Sequence, residues 1–427
     1  MRHAFLLLLT LTAALLAMPL PEALTYINAS TDKDPLTYEI DEPIVFTVNF
    51  GEYNDQIPKG TKLSWCLRGD DGQSSTGVQE WDPAITNTIQ GSLASNGFLW
   101  LHVDFLDQDG KKLQFAFGGD AYLTAGAAVH PELLQGVPAP ADFDEYWDDQ
   151  RQALLDLPLK TKIEPALEKD QCTVYKVTAN CLGPRPMTAW LCIPKNAAEK
   201  SLPVVVGFHG YGFAGPQYRD PSWMNETEVI RMDVGAHGTD MGREQAYYDA
   251  FEKALANEQG MGYAFDYREN QNRDTAYFHG MALRVMRALQ VAKTLPQWNQ
   301  KDLIVEGSSQ GGLQSIWAAA LDPDVTLAKP TVPWHADIAG QGQLGRVFGP
   351  WKIPYTPALE YYDTIHMAHR IHCPVEITRA GLGDYVCPPS GIAVLYNNLK
   401  CPKTIHWFQG SDHGFVPKGS LIYTRKE

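Results

Sequence analysis

The sequence predicts a small all-β sandwich followed by an α/β domain built on a doubly wound, mostly parallel sheet. Residues from about 25 to 128 alternate apolar and polar side chains without helical periodicity. From Asp142 to the end, short Val- and Ile-rich runs alternate with helical stretches, the signature of parallel strands joined by helices. Between the two lies a linker over 129–141, whose Pro-rich end in "GVPAPADFDEYW" opens a helix.

The chain has 427 residues, 44% of them apolar and 11% aromatic, enough for a large core. Its first residues read "MRHAFLLLLTLTAALLAMPLPEA": Arg2 and His3, then an uncharged apolar run from Ala4 to Ala17. This predicts a secretory signal peptide over 1–23 and a secreted or periplasmic protein with no further membrane contact. A formal net charge of −15 argues against nucleic acid and anionic membranes as partners. The seven cysteines show no CxxC spacing and several sit in apolar runs, so buried free thiols are expected and no metal site.

In the amino-terminal part, "EPIVFTVNF" and "GFLWLHVDFLDQDGKKLQFAFGG" alternate as strands do. Asp71-Gly72 and Asp109-Gly110 mark turns, the second between the two halves of the longer run. An immunoglobulin-like sandwich is the expected result. In the second part, "LPVVVGFHG", "EVIRMDVG", "DLIVEGSS", "HCPVEITRAG" and "KTIHWFQG" are strand candidates. A helix opens near Asp142 or Asp144, either of which suits a cap. Another spans 281–295, with Leu283, Met286, Leu289 and Ala292 on one face.

The chemistry centres on Gly307-Ser308-Ser309-Gln310-Gly311, a G-x-S-x-G motif between a strand and a helix. A serine on such a sharp turn is strained, and flanking glycines remove the side chains that would clash. The helix start offers N–H groups to a developing oxyanion. A serine hydroxyl needs a base. Asp384, in "AGLGDYVCPP", and His413, in "WFQGSDHGF", follow later strands in the order serine, acid, histidine. His406 is expected in the core, and His366, His369 and His372 on a solvated helical face. Asp412 is too close in sequence to His413 to orient it. "HGYG" at 209–212 would supply a second oxyanion donor, with the Tyr211 N–H paired to that of Gln310. His209 is expected to pack within that loop.

Together these stretches resemble the acetyl xylan esterase / cephalosporin C deacetylase family, carbohydrate esterase family 7, within the α/β-hydrolase superfamily. The resemblance runs from about Pro138 to Val416 and rests on "PAPADFDEYW", "HGYG", "GSSQGG", and "GLGDYVCPPS" followed by "LYNNLKCPK". It implies catalysis by Ser309, Asp384 and His413 with Tyr211 and Gln310 as backbone donors, no cofactor, and an acetylated carbohydrate such as an acetylated xylo-oligosaccharide as substrate. It also raises a homo-oligomer, since the family forms a ring-shaped hexamer. Two departures are visible: "MDVGAHG" at 232–238 has no arginine where the family carries Arg-Gly-Gln, and Gly414 follows the histidine in place of Glu. Trp223, Tyr267, Tyr277, Trp334, Trp351 and Tyr355 are aromatic candidates for stacking on sugar. The expected reaction is hydrolysis through an acyl-enzyme. A serine exopeptidase on the same fold and a non-catalytic carbohydrate-binding protein are the rival readings.

Overall fold

The computed structural model describes residues 20–213, 216–258, 260 and 262–427. The expected leader therefore lies outside the described residues except for its last four, Leu20–Ala23. These form a helical turn whose Ala23 packs with Leu24 and Ile27 in the sandwich core.

Seven strands build the amino-terminal domain: β1 (Asn28–Thr31), β2 (Ile44–Asn49), β3 (Lys62–Gly69), β4 (Ser74–Glu80), β5 (Asn87–Gly91), β6 (Gly97–Leu106) and β7 (Tyr122–Val129). They form two antiparallel sheets, ordered β1-β2-β5 and β4-β3-β6-β7. Strand β2 shows why: Ile44, Phe46 and Val48 alternate inward and share one core with Leu101 and Phe105 from the other sheet. Asp71-Gly72 turns β3 into β4, the Asp71 carboxylate accepting from the Gln73 N–H at 3.0 Å. Asp109-Gly110 is also a turn, but the run after it is not the partner of β6. "KKLQFAFGG" makes only isolated bridges, Leu106 with Lys112 and Gln114 with Asp120, and β6 pairs with β7 instead. A second tight turn at Gly118 and Gly119, both with positive φ, folds the run back on itself before it can form a ladder.

The second domain carries strands β8 (Thr161–Glu168), β9 (Cys172–Ala179), β10 (Met187–Pro194), β11 (Leu202–Phe208), β12 (Ile230–Gly235), β13 (Trp298–Ser308), β14 (Leu327–Thr331), β15 (Val375–Gly381), β16 (Lys403–Phe408) and β17 (Ile422–Lys426). Their order is β17-β16-β15-β14-β13-β11-β12-β10-β9-β8. Pairing is parallel from β16 through to β12 and antiparallel outside that block. Pro165 sits on the edge strand β8 beside a register shift, where a missing donor is tolerated.

The main helices are α1 (Phe143–Asp156), α2 (Gln245–Leu255), α3 (Tyr277–Ala292), α4 (Gln310–Leu321) and α5 (Pro389–Asn398). Helix α3 starts ahead of the expected 281 and ends before 295, with Leu283, Met286, Leu289 and Ala292 all buried. It packs on β10, β11 and β12, while α4 packs on β11, β13 and β14. Across the strands, alternate positions carry Arg231, Asp233, Glu306, Lys329 and Glu376, and Arg231 bridges Asp233 and Glu306 at 2.9 Å each. Asp142 occupies the cap position of α1 without capping it, because its carboxylate accepts from Arg273 at 2.6 Å and from Tyr361.

Two histidine expectations fail. His366 is buried rather than solvated and bonds Glu360 at 2.6 Å, because its short helix lies under α4 and α5. His406 is half-exposed on the polar face of β16, bonding Thr424 of the edge strand β17 at 2.9 Å. Among the described residues no helix is long and apolar enough to cross a membrane. The seven cysteines are free thiols, four of them buried.

Candidate active site

The parallel strands deliver their following loops to one edge of the sheet. Ser309 follows β13, Asp384 follows β15, His413 follows β16, and the 209–213 loop follows β11.

Ser309 has φ 58° and ψ −116°, a backbone conformation that side-chain-bearing residues rarely adopt. Its N–H donates to Thr331 at 2.9 Å, and its carbonyl accepts from Leu313 and Trp334 at 3.0 Å each. The flanking glycines are required by space. A Cβ on Gly311 would lie 2.1 Å from the Phe208 carbonyl oxygen, and one on Gly307 2.6 Å from that oxygen and from the Gly311 backbone. The turn can close only because both side chains are absent.

His413 stands between the other two residues. Its Nε2 is 3.0 Å from Ser309 Oγ, and its Nδ1 is 2.9 Å from Asp384 Oδ2. Asp384 is fully buried, and its other oxygen accepts from the N–H groups of Val386 and Cys387 at 2.9 Å each. A carboxylate accepts only, so the Nδ1 proton of His413 faces Asp384, and Nε2 is left to accept from the serine hydroxyl. Arg379 donates to the His413 carbonyl at 3.0 Å and holds the loop. The donor atoms of Asp384, Cys387 and His413 lie within 4.8 Å of one another. This set suits a proton relay better than a metal ion: the Asp384 and His413 atoms are committed to each other, and burial pushes the Cys387 thiol well above its ordinary range.

The 209–213 loop is pinned against the elbow. Gln310, the first residue of α4, accepts from the Tyr263 hydroxyl at 2.5 Å through its side chain, and the same hydroxyl accepts from the Gly212 N–H at 2.9 Å. Tyr211 stacks on Tyr263 with centroids 4.2 Å apart. The Gly212 carbonyl accepts from His237 Nε2 at 3.2 Å, leaving Nδ1 to accept from Tyr277 at 2.9 Å. His209 packs within its loop, its Nδ1 donating to Gly210 at 2.6 Å and its Nε2 accepting from the Ala236 N–H at 3.0 Å. Burial pushes its pKa down to about 4, so the ring is neutral. The segment without the family arginine is bound by arginines from elsewhere: Arg284 donates to Ala236 at 2.7 Å and Arg185 to His237 at 2.6 Å. Of the aromatic candidates, Trp351 and Trp334 reach the site, at 4.9 and 5.7 Å from the Tyr211 ring. Tyr277 is interior and Trp223 lies beside Arg231.

Sequence reasoning missed how the sandwich supports this site. Trp100 of β6 donates to the Gly383 carbonyl at 3.1 Å, one residue before Asp384, and its ring meets Tyr385 at 5.1 Å. Tyr122 of β7 donates to the Asp412 carboxylate, one residue before His413. Gly126 of β7 exchanges two hydrogen bonds with the Gln409 side chain, at 3.0 and 2.8 Å. A Cβ on Gly126 would lie 2.1 Å from the Leu382 carbonyl oxygen. No motif announces these contacts. The one available signal is the glycine inside the apolar strand "YLTAGAAV", which marks a close backbone approach.

A family model described as acetyl xylan esterase matches residues 134–346 and 355–420. The acetyl esterase Axe7A of Xylanibacter ruminicola is 29% identical over 296 residues, which is 64% of this chain and 63% of that protein. The match thus spans less than two thirds of the relative's length. Two solved structures share the fold. An acetyl xylan esterase from Paenibacillus sp. R4 aligns with a TM-score of 0.57 and 22% identity, covering 67% of this chain and 94% of its own. Acetyl xylan esterase 1 from Thermoanaerobacterium sp. JW/SL YS485 gives 0.54 and 21%, covering 67% and 93%. With an α/β-hydrolase sheet that brings a serine, a histidine and an aspartate together at one edge, and with a family model matching most of its length, this chain belongs to the acetyl xylan esterase family.

Proposed function

We propose that the protein is an exported serine esterase that removes acetyl groups from neutral acetylated carbohydrates, acetylated xylo-oligosaccharides being the leading class. Ser309 attacks the ester carbonyl while His413 Nε2 takes its proton, and Asp384 stabilises the imidazolium that forms. The N–H groups of Tyr211 and Gln310 receive the oxyanion. Collapse expels the sugar alkoxide, which His413 reprotonates, and a water deprotonated by His413 then releases acetate from the acyl-enzyme. The carrying observation is the relay itself, with His413 3.0 Å from the nucleophile and 2.9 Å from the buried carboxylate. That relay favours turnover over sugar binding alone. Export rests on the apolar leader expected over residues 1–23.

The test is acetate release from acetylated xylo-oligosaccharides, compared with esters of longer acids and with dipeptidyl amides. Release from the first class, lost in Ser309→Ala, is expected. Turnover of the amides without acetate release would overturn the reading in favour of an exopeptidase.

A further inference from the structure

Beside the two catalytic loops, at the seam between the domains, lies an open cleft of about 370 Å³. It is lined by Phe115, Phe117 and Tyr122 from the sandwich and by Tyr385 and Phe415 from the hydrolase domain. Tyr385 follows Asp384 directly, and Phe415 lies two residues past His413. Phe117, at 65%, is the most exposed of the large aromatic rings among the described residues. It stacks on Phe115 at 4.7 Å with planes 17° apart and lies 5.6 Å from the tilted ring of Phe415, so the ring is held as a platform. Around it stand polar groups of both signs. Lys112 lies 3.0 Å from Asp104 and 3.6 Å from Asp120, and His102 lies 3.3 Å from Asp104.

We infer that this cleft is a subsite for a neutral oligosaccharide chain extending from the acetylated residue at Ser309. This rests on the proposed deacetylase function. A pyranose ring presents an apolar C–H face and a rim of hydroxyls. The exposed Phe117 face suits the first, and Asp104, Lys112 and Asp120 accept from and donate to the second. Mixed charge within a chain of net charge −15 disfavours a polyanion. The volume falls within the roughly 300–1,000 Å³ of ligand clefts. The sandwich then has a role beyond support: it reads the sugar chain next to the acetyl group.

Titration of the full chain with xylohexaose, followed by protein fluorescence or calorimetry, tests this. Saturable binding is expected, weakened about tenfold or more by Phe117→Ala and kept by Phe117→Tyr, with melting temperatures unchanged. Asp120→Ala weakens binding as an independent variant. In kinetics, Phe117→Ala raises KM for acetylated xylo-oligosaccharides and leaves vinyl acetate turnover as in the parent protein. No binding of xylohexaose by the parent protein, or equal affinity in Phe117→Ala, overturns the subsite. Xylohexaose binding without acetate release would uphold the subsite and overturn the deacetylase reading.

Discussion

Ser309 and the two residues linked to it, His413 and Asp384, are held in place by different parts of the molecule. Ser309 is fixed by its own neighbourhood: a strained turn, two glycines with no room for a Cβ, and backbone bonds to Thr331, Leu313 and Trp334. Asp384 and His413 sit on loops gripped by the sandwich, through Trp100 at Gly383, Tyr122 at Asp412 and Gly126 against Leu382 and Gln409. Phe98 of β6 and Ala128 of β7 even belong to the hydrolase core, with Phe98 5.6 Å from Trp407. A strand–turn–helix can therefore build its own elbow, whereas Asp384 and His413 lean on a second domain.

The largest expected effect fixes the reference point. Ser309→Ala should cut kcat by about 10⁴–10⁶ with the melting temperature kept, read from acetate release and calorimetry. Asp384→Asn should cost about 10⁴ in kcat, because an amide can donate to His413 and invert its tautomer. A Glu306→Gln variant with the same loss would show that the orienter is misassigned.

The next pair addresses the comparison directly. Gly311→Ala should destabilise by about 1–3 kcal/mol and abolish activity, since the added Cβ meets the Phe208 carbonyl within the elbow. Gly126→Ala places its Cβ equally close to Leu382, in another domain, and should lower kcat without touching Ser309. If Gly126→Ala leaves kcat unchanged, the sandwich is only a neighbour.

Smaller effects sharpen the point. Tyr122→Phe removes a hydrogen bond to the Asp412 carboxylate, worth roughly 1.5–3 kcal/mol of stability. As a positioning residue it should reduce kcat several-fold on vinyl acetate, an ester too small to reach the cleft that Tyr122 also lines, whereas a purely structural role would lower only the melting temperature.

The last prediction concerns acid. His209 is neutral in the fold with a pKa pushed down to about 4, against an ordinary value near 6.5. Its unfolded form binds the proton more readily, so the stability it contributes is full above pH about 6.5 and is lost as pH falls toward 4. Up to roughly 3 kcal/mol is at stake at 1.36 kcal/mol per pH unit. Urea unfolding between pH 7 and 4 should show that loss together with those of His237 and His335, which burial also pushes down, and His209→Gln should reduce it by its own share.

The sequence by itself determined what is local. A G-x-S-x-G stretch needs its glycines wherever it occurs, so Ser309 could be read directly. The order of Asp384 and His413 behind later strands followed from the parallel sheet that the βα alternation requires. The first strands of the large sheet were harder to read, because β8 carries polar residues and a proline beside a register shift. The burial of His366 and the exposure of His406 depended on which elements lie over them, and periodicity does not encode that. The docking of β6 and β7 onto the loops of Asp384 and His413, and the cleft beside Phe117, were decided by tertiary structure alone. They join residues hundreds of positions apart, such as Trp100 and Gly383, through contacts that exist only once two cores have packed together.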